Sequence, residues 1–245
     1  MEIQNELQLK LSALNILGVY FSAPPETKAF GRIWYNLAFK TMMQISRETD
    51  IHVSTIIAAG SALSPNNNYN KNVSDTAALA QAFRSGAEME SIKVSTYNNN
   101  KKKAWAIFKQ YGFHDGQPER NSSDFNNTYD EQITFQRETL NGLKTVAFYD
   151  CIYYAGNSKH FYGKGAVCVD GHAKNIYYGQ RHSLSSNKSS IGKREYLYIA
   201  AAYNAAAGII NGVEEGEPIT GAQVQAITWN QCRLLHGTIG GICMV

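Results

Sequence analysis

Four groups of residues in this chain have the types and spacing to do chemistry. Asp170-Gly171-His172 closes the short apolar run Ala166-Val167-Cys168-Val169, a placement that puts a partly desolvated carboxylate at the mouth of a pocket. The same aspartate is also a good N-cap for a helix beginning near Ala173, and the two roles are compatible. His172 has no second histidine at helical spacing, which favours a hydrogen-bonded histidine over a metal ligand. Gln225, Trp229 and Arg233 lie four residues apart. They therefore share one face of a helix, away from its apolar stripe, where amide, indole and guanidinium are costly to bury without partners. That pattern reads as a site wall, or as a plain structural stack of arginine on tryptophan.

The other two groups are suited to binding. Leu140-Asn141-Gly142-Leu143-Lys144 offers backbone N–H groups at a helix start, unblocked by a side chain at Gly142, which is a way to grip a phosphate. An ordinary tight turn between two helices gives the same string. Asn66-Asn67-Asn68-Tyr69 joins amides that pair with base edges to a ring that stacks on one, although a solvated loop has the same composition.

The elements that must position these residues read as helical. Leu7, Leu11, Leu14 and Leu17, then Phe30, Ile33, Trp34, Leu37 and Ile45, recur at helical spacing. Val53 to Leu63 is apolar nearly all round, as a central buried helix is, and Ser64-Pro65 ends it. Asn72 to Asp75 opens the next helix, with Ala77, Ala80 and Phe83 along one side, and Lys101 to Gln110 forms another around Ala104, Ile107 and Phe108. Gly112 to Asp130, rich in Gly, Asn, Ser and Asp, reads as a long surface loop, and Arg181 to Gly192 as a second one. Gln136 to Tyr154 reads as two helices joined at Gly142, a helical hairpin. Tyr196, Ile199, Tyr203 and Ile210 line one further helix; Val224, Ile227, Cys232 and Leu235 line the last. Strand alternation is scarce, so the fold class is all-α.

Composition narrows the function classes. The 245 residues are 44% hydrophobic and 18% charged, which excludes a disordered chain. With 23 Lys plus Arg against 20 Asp plus Glu, the net charge of +3 is compatible with an anionic partner without requiring one. Cys151, Cys168, Cys232 and Cys243 have no CxxC pair and no metal-ligand spacing, and the N-terminus has no secretory apolar region. The cysteines are read as reduced thiols in a cytoplasmic protein, Asn-X-Ser sequons such as Asn121-Ser122-Ser123 carry no weight, and no apolar run has the length of a membrane span.

Taken in order, these segments resemble the helix-hairpin-helix DNA glycosylase superfamily from about Val53 to Arg233. Ala62-Leu63-Ser64-Pro65-Asn66, with Asn72 after it, resembles that family's Leu-Ser-x-Gln loop and later Asn. Tyr97-Asn98 with Lys103-Ala104 resembles its Tyr-Asn-x-Lys-Ala segment, carrying extra residues. Leu140 to Thr145 is similar to its Leu-Pro-Gly-Val-Gly hairpin, and Val169-Asp170-Gly171-His172 to the Val-Asp-Thr-His segment whose aspartate is catalytic. The resemblance implies one glycosylase-like unit over residues 1–245 with two helical lobes, about 50–165 with the hairpin and 1–49 plus 166–245. Three departures matter. Val146 stands where bifunctional enzymes carry the Schiff-base lysine, Lys144 replaces the second hairpin glycine, and the four-cysteine iron–sulfur motif is absent.

Gln225-Ala226-x-x-Trp229-x-x-x-Arg233, together with the Leu-Ser-Pro and Val-Asp-Gly-His segments, is more similar to a bacteriophage branch of the fold. These are the amino acid:DNA transferases, first named α-glutamyl/putrescinyl thymine pyrophosphorylases, although Tyr69 stands where that branch has a Trp. The branch implies thymidine hypermodification, in which a phosphorylated hydroxymethyluracil in double-stranded DNA receives a free amino acid, in the cytoplasm of a phage-infected host and in the service of restriction evasion. On this resemblance Asp170 and Lys144 act in catalysis. Asn66, Asn68, Tyr69, Asn72, Asn141, Gly142, His172, Gln225, Trp229 and Arg233 bind DNA or substrate. No metal or cofactor is called for. The alternatives are a monofunctional DNA N-glycosylase, in which Asp170 stabilises a cationic sugar and activates water, and a DNA-binding module without catalysis.

Overall fold

In the computed structural model, which describes residues 2–112, 122–156, 165–180, 182 and 190–236, ten α-helices and one short 3-10 turn make up most of the described backbone. The helices are α1 (Glu2–Ser22), α2 (Pro25–Thr49), α3 (Val53–Leu63), α4 (Tyr69–Arg84), α5 (Asn98–Tyr111), α6 (Ser122–Leu140), α7 (Leu143–Gly156), α8 (Gly171–Tyr178), α9 (Lys193–Val213) and α10 (Gly221–His236). No strand occurs among the described residues, so the chain is all-α. None of these helices is long and apolar enough to cross a membrane. The chain divides into two compact units, residues 1–36 with 157–239 and residues 37–156 with 240–245, and the division falls inside α2.

The unit formed by residues 37–156 is built on α3, whose residues from Ser54 to Leu63 are all buried. A helix apolar on every side must be covered on every side. It packs against α4, α5, α6 and α7. Two of its polar groups, Ser54 and Thr55, are answered from α6: Gln132 Nε2 donates to Ser54 Oγ and Thr55 Oγ1, both at 3.0 Å, and Tyr149 OH of α7 donates in turn to Gln136 Oε1 of α6 at 2.9 Å. These buried bonds fix α6 and α7, the two arms of the hairpin, against the central helix.

The unit that contains α1, α8, α9 and α10 draws its core from Ile16, Tyr20, Trp34, Tyr203, Ile210 and Ile227. Gly31 of α2 lets that helix approach α10 closely, since a Cβ there would stand 2.7 Å from the Ile227 Cα.

Three expectations are corrected. The apolar stripe expected on α1 is buried only in part: Leu17 is buried with Ser12, Ala13, Ile16 and Tyr20, but Leu11 and Leu14 are 50% and 61% exposed; the Leu7 side chain lies outside the described residues. On α2, Ile33 is likewise exposed and the buried face runs through Thr27, Gly31, Trp34, Ala38, Met42 and Ile45. Residues 122–130, expected in a loop, are the first turns of α6; Ser, Asp and Asn resemble a loop in composition but also start helices, because their side chains satisfy the first free N–H groups. Residues 113–121, residues 181 and 183–189 of the second expected loop, and Cys243 lie outside the described residues.

Candidate functional site

The carboxylate of Asp170 is held by two donors. Residues 165–170 lie outside regular secondary structure, and the Tyr196 hydroxyl clamps them by donating to the Val167 carbonyl at 2.8 Å and accepting from the Val169 N–H at 3.1 Å. Asp170 then caps α8, its Oδ1 accepting from the Ala173 N–H at 2.9 Å. Its Oδ2 accepts from Trp229 Nε1 at 3.1 Å. Capping and presentation of a half-buried carboxylate thus coexist in one side chain.

Trp229 is the centre of this cluster. The Arg233 guanidinium lies 4.2 Å above its ring, one turn further along α10. The rings of Trp34 and His172 meet it edge-on at centroid distances of 6.1 and 6.3 Å. His172 Nδ1 is 3.9 Å from Cys232 Sγ. Tyr203, fully buried beneath, has its phenol pushed far above the ordinary value of 10.0, chiefly by burial and further by the negative charge of Asp170 and of Cys232, against the hydrogen bond from Thr228. Carboxylate, guanidinium, imidazole and thiol therefore surround one indole, a set able to accept a proton and to neutralise an anion.

The structure brings Asp170, His172, Trp229 and Arg233 together in this unit. Gln225 belongs to the same helix but is 5% exposed, with its Oε1 accepting from the Tyr35 hydroxyl at 2.9 Å. It supports the cluster from inside, which corrects the expectation that all three residues face away from the apolar stripe. Trp34, Tyr35, Tyr203 and Cys232 were missed as members. Cys232 had a legible signal, because a residue three beyond Trp229 lies next to it on a helix. Trp34 had none, since α2 and α10 are far apart in sequence.

The remaining residues lie in the other unit, on two supported turns. The loop after α3 is pinned by Asp75, whose Oδ2 accepts from Asn67 Nδ2 at 2.9 Å and from the Ser95 N–H at 2.7 Å, and by Thr96, whose hydroxyl donates to the Pro65 carbonyl at 2.7 Å. Asn66 is exposed at the tip with a left-handed φ of 55°. Asn68 caps α4, its Oδ1 accepting from the Lys71 N–H at 2.9 Å. Tyr69 turns inward. Its hydroxyl meets Thr41, burial raises its pKa to about 12 against that hydrogen bond, and it lines a groove of about 500 Å³ with Leu37, Thr41 and Val73. Asn72 is 2% exposed and donates to the Gly60 carbonyl at 2.8 Å, so it ties α4 to α3 instead of facing a ligand.

The hairpin turn is equally determined. Asn141, at φ 49°, takes the left-handed position after α6, and Gly142 opens α7. A Cβ at Gly142 would stand 2.9 Å from Thr145 Oγ1, which itself donates to the Gly142 carbonyl at 3.0 Å. Lys103 Nζ donates to the Leu140 carbonyl at 3.0 Å, placing a cation at the negative end of α6. Lys144 stands in the first turn of α7, the end of a helix at which backbone N–H groups point outward. Thr96 and Lys103 flank the start of α5, so one segment supports both the Asn66 loop and the hairpin.

Residues 1–234 match DUF7178, a family of unknown function, and the chain belongs to that family. No curated protein and no solved structure matches it.

Proposed function

We propose that this DUF7178 chain is a DNA base-modifying enzyme that transfers an amino acid onto a phosphorylated hydroxymethyluracil. The observation that carries the reading is the Trp229 indole, which donates to Asp170 at 3.1 Å while Arg233 stacks on its face at 4.2 Å. A base and an anion-binding group on one aromatic plate suit a displacement in which an amine loses a proton and a phosphate departs. Asp170 takes the proton of the attacking amine, which must be neutral to act as a nucleophile. Arg233 neutralises the departing phosphate, the role a guanidinium serves best. Trp229 offers the flipped base a stacking surface.

The second unit supplies the grip on DNA. The N–H groups at Gly142 and Leu143 and the Lys144 ammonium bind a backbone phosphate. Asn66, exposed on a loop held by Asp75 and Thr96, enters the gap that the extruded base leaves. Extrusion costs a few kcal/mol, offset by stacking and phosphate contacts.

The test is nucleoside mass spectrometry on duplex DNA carrying phosphorylated hydroxymethyluridine, incubated with the protein and mixed amino acids. A nucleoside heavier by one amino-acid residue is the expected product, and Asp170→Asn is expected to make it about 10²–10⁴-fold more slowly, the range a positioned base contributes. Free base with abasic DNA would mean a glycosylase instead. Neither product, with DNA still bound, would leave a binding module.

A further inference from the structure

Cys232 stands beside an imidazole: its Sγ lies 3.9 Å from His172 Nδ1. It is 9% exposed, against 1% for Cys151 and 6% for Cys168. It also sits one turn along α10 from Trp229, whose indole holds Asp170. A thiol next to an imidazole is the pairing of a nucleophile and its base, and such pairs are looser before substrate arrives.

We propose that Cys232 is a nucleophilic thiol whose proton His172 takes, and that it adds to C6 of the extruded pyrimidine. The inference rests on the base-modifying reading above and names the substrate class at that site: a uracil whose C5 methylene bears a leaving group. Such a ring is a conjugate acceptor. Addition forms the S–C6 bond and moves the C5–C6 π pair onto the C4 carbonyl as an enolate. Collapse of the enolate breaks the methylene C–O bond, expels the phosphate toward Arg233 and leaves an exocyclic methylene. The amine, its proton passing to Asp170, adds to that methylene and regenerates the enolate. Reformation of the C5–C6 double bond then expels the thiolate, which recovers its proton from His172. No electrons are gained or lost, and the net change is amine for phosphate. The thiol thereby turns a direct displacement into an elimination and an addition, each with a stabilised intermediate.

Two measurements test this on the full chain. The first is iodoacetamide labelling at pH 7.5, read peptide by peptide. An ordinary thiol of pKa about 8.5 is ionised there to about a tenth, so Cys232 paired with His172 is expected to label up to about tenfold faster than glutathione and to fall to the ordinary rate in His172→Gln. The second is product formation by Cys232→Ser and Cys232→Ala, with melting curves to verify folding. Both variants are expected to lose product, and wild-type protein to show a transient covalent protein–DNA species by denaturing electrophoresis. Product at the wild-type rate from Cys232→Ala would overturn the thiol step and leave the base-modifying reading intact. Fast, His172-dependent labelling with no product from the wild type would sink that reading while upholding the thiol–imidazole pair.

Discussion

Asp170 accepts two hydrogen bonds, from the Ala173 N–H at 2.9 Å and from Trp229 Nε1 at 3.1 Å. Asparagine has one acceptor oxygen and one NH₂, so Asp170→Asn can answer only one donor and turns a donor toward the other. Asparagine caps helices as well as aspartate does, so the oxygen stays with α8 and the indole bond is lost. A bond to a charged acceptor is worth about 1.5–3 kcal/mol, and half-burial puts this one near the lower end, about 1.5 kcal/mol. For a chain of this size each kcal/mol moves the melting temperature by about 2–4 °C, so Asp170→Asn is expected to melt about 3–6 °C lower. Trp229→Phe loses the same bond and also packing against Trp34 and Arg233, for about 3 kcal/mol in all. In the double variant the shared bond is counted once. The two single losses should therefore exceed the double loss by about 1.5 kcal/mol, a coupling measured by calorimetry of all four proteins. Additivity within about 0.5 kcal/mol would refute the bond, and with it the claim that the carboxylate is held in place before substrate binds.

Three further outcomes follow from the geometry. Lys144→Ala is expected to weaken duplex binding in fluorescence anisotropy and to lower the slope of log K against log salt by about one, uniformly across sequences, as loss of a single phosphate contact does. Gly142→Ala sets a Cβ 2.9 Å from Thr145 Oγ1 and should destabilise the hairpin by about 1 kcal/mol in urea unfolding. Adding Thr145→Ala should recover most of that loss, and a loss unchanged by it would place the strain elsewhere. For Glu214, burial raises the pKa, but hydrogen bonds from Tyr20 and Lys28 and the charges of Lys28 and Arg32 outweigh it and hold the group below its usual 4.5. A depressed carboxylate pKa contributes stability that is present above the unfolded value and lost as pH falls through the folded one. Glu214→Gln should thus be less stable than wild type by about 0.5–1 kcal/mol at pH 7, with the gap closing below pH 4.5 in thermal melts; a gap that persists at pH 3 would contradict the ion pairs.

How much could be read before the fold was seen depended on the range of the interaction involved. The burial of α3 is local information, because eleven residues with apolar side chains on all sides cannot rest at a surface. The hairpin is also local: a glycine two residues after a leucine, between two helical patterns, leaves few other structures. Asp170 as a cap was legible from its position before Gly171-His172-Ala173. The bond from Trp229 to Asp170 was not, since 59 residues separate the two and nothing in either helix's period points to the other. Periodicity also failed where two faces of one helix both carried apolar residues. On α1 the leucines at 11 and 14 look like the buried stripe, yet the close neighbours took Ser12, Ala13 and Ile16 instead, and small residues were preferred where helices approach.

The same dependence on range shows in how both candidate turns are held. The Asn66 loop and the hairpin belong to different elements, yet each is tied to the start of α5, one through Thr96 and one through Lys103. Neither bond involves a residue that meets DNA on the reading proposed. Their effect is to hold Asn66 and Gly142 against a common helix, so that neither turn has to be ordered separately when a duplex arrives, and the ordering entropy of about 1–2 kcal/mol per backbone residue is met in folding, not in binding. Asp170 follows the same logic in the other unit, where Tyr196 clamps its backbone and Trp229 and Ala173 hold its oxygens. On the reading proposed, a carboxylate whose position is settled by three neighbours needs no reorganisation to act on a bound base, and that preorganisation is what the reading asks of Asp170 beyond its capping of α8.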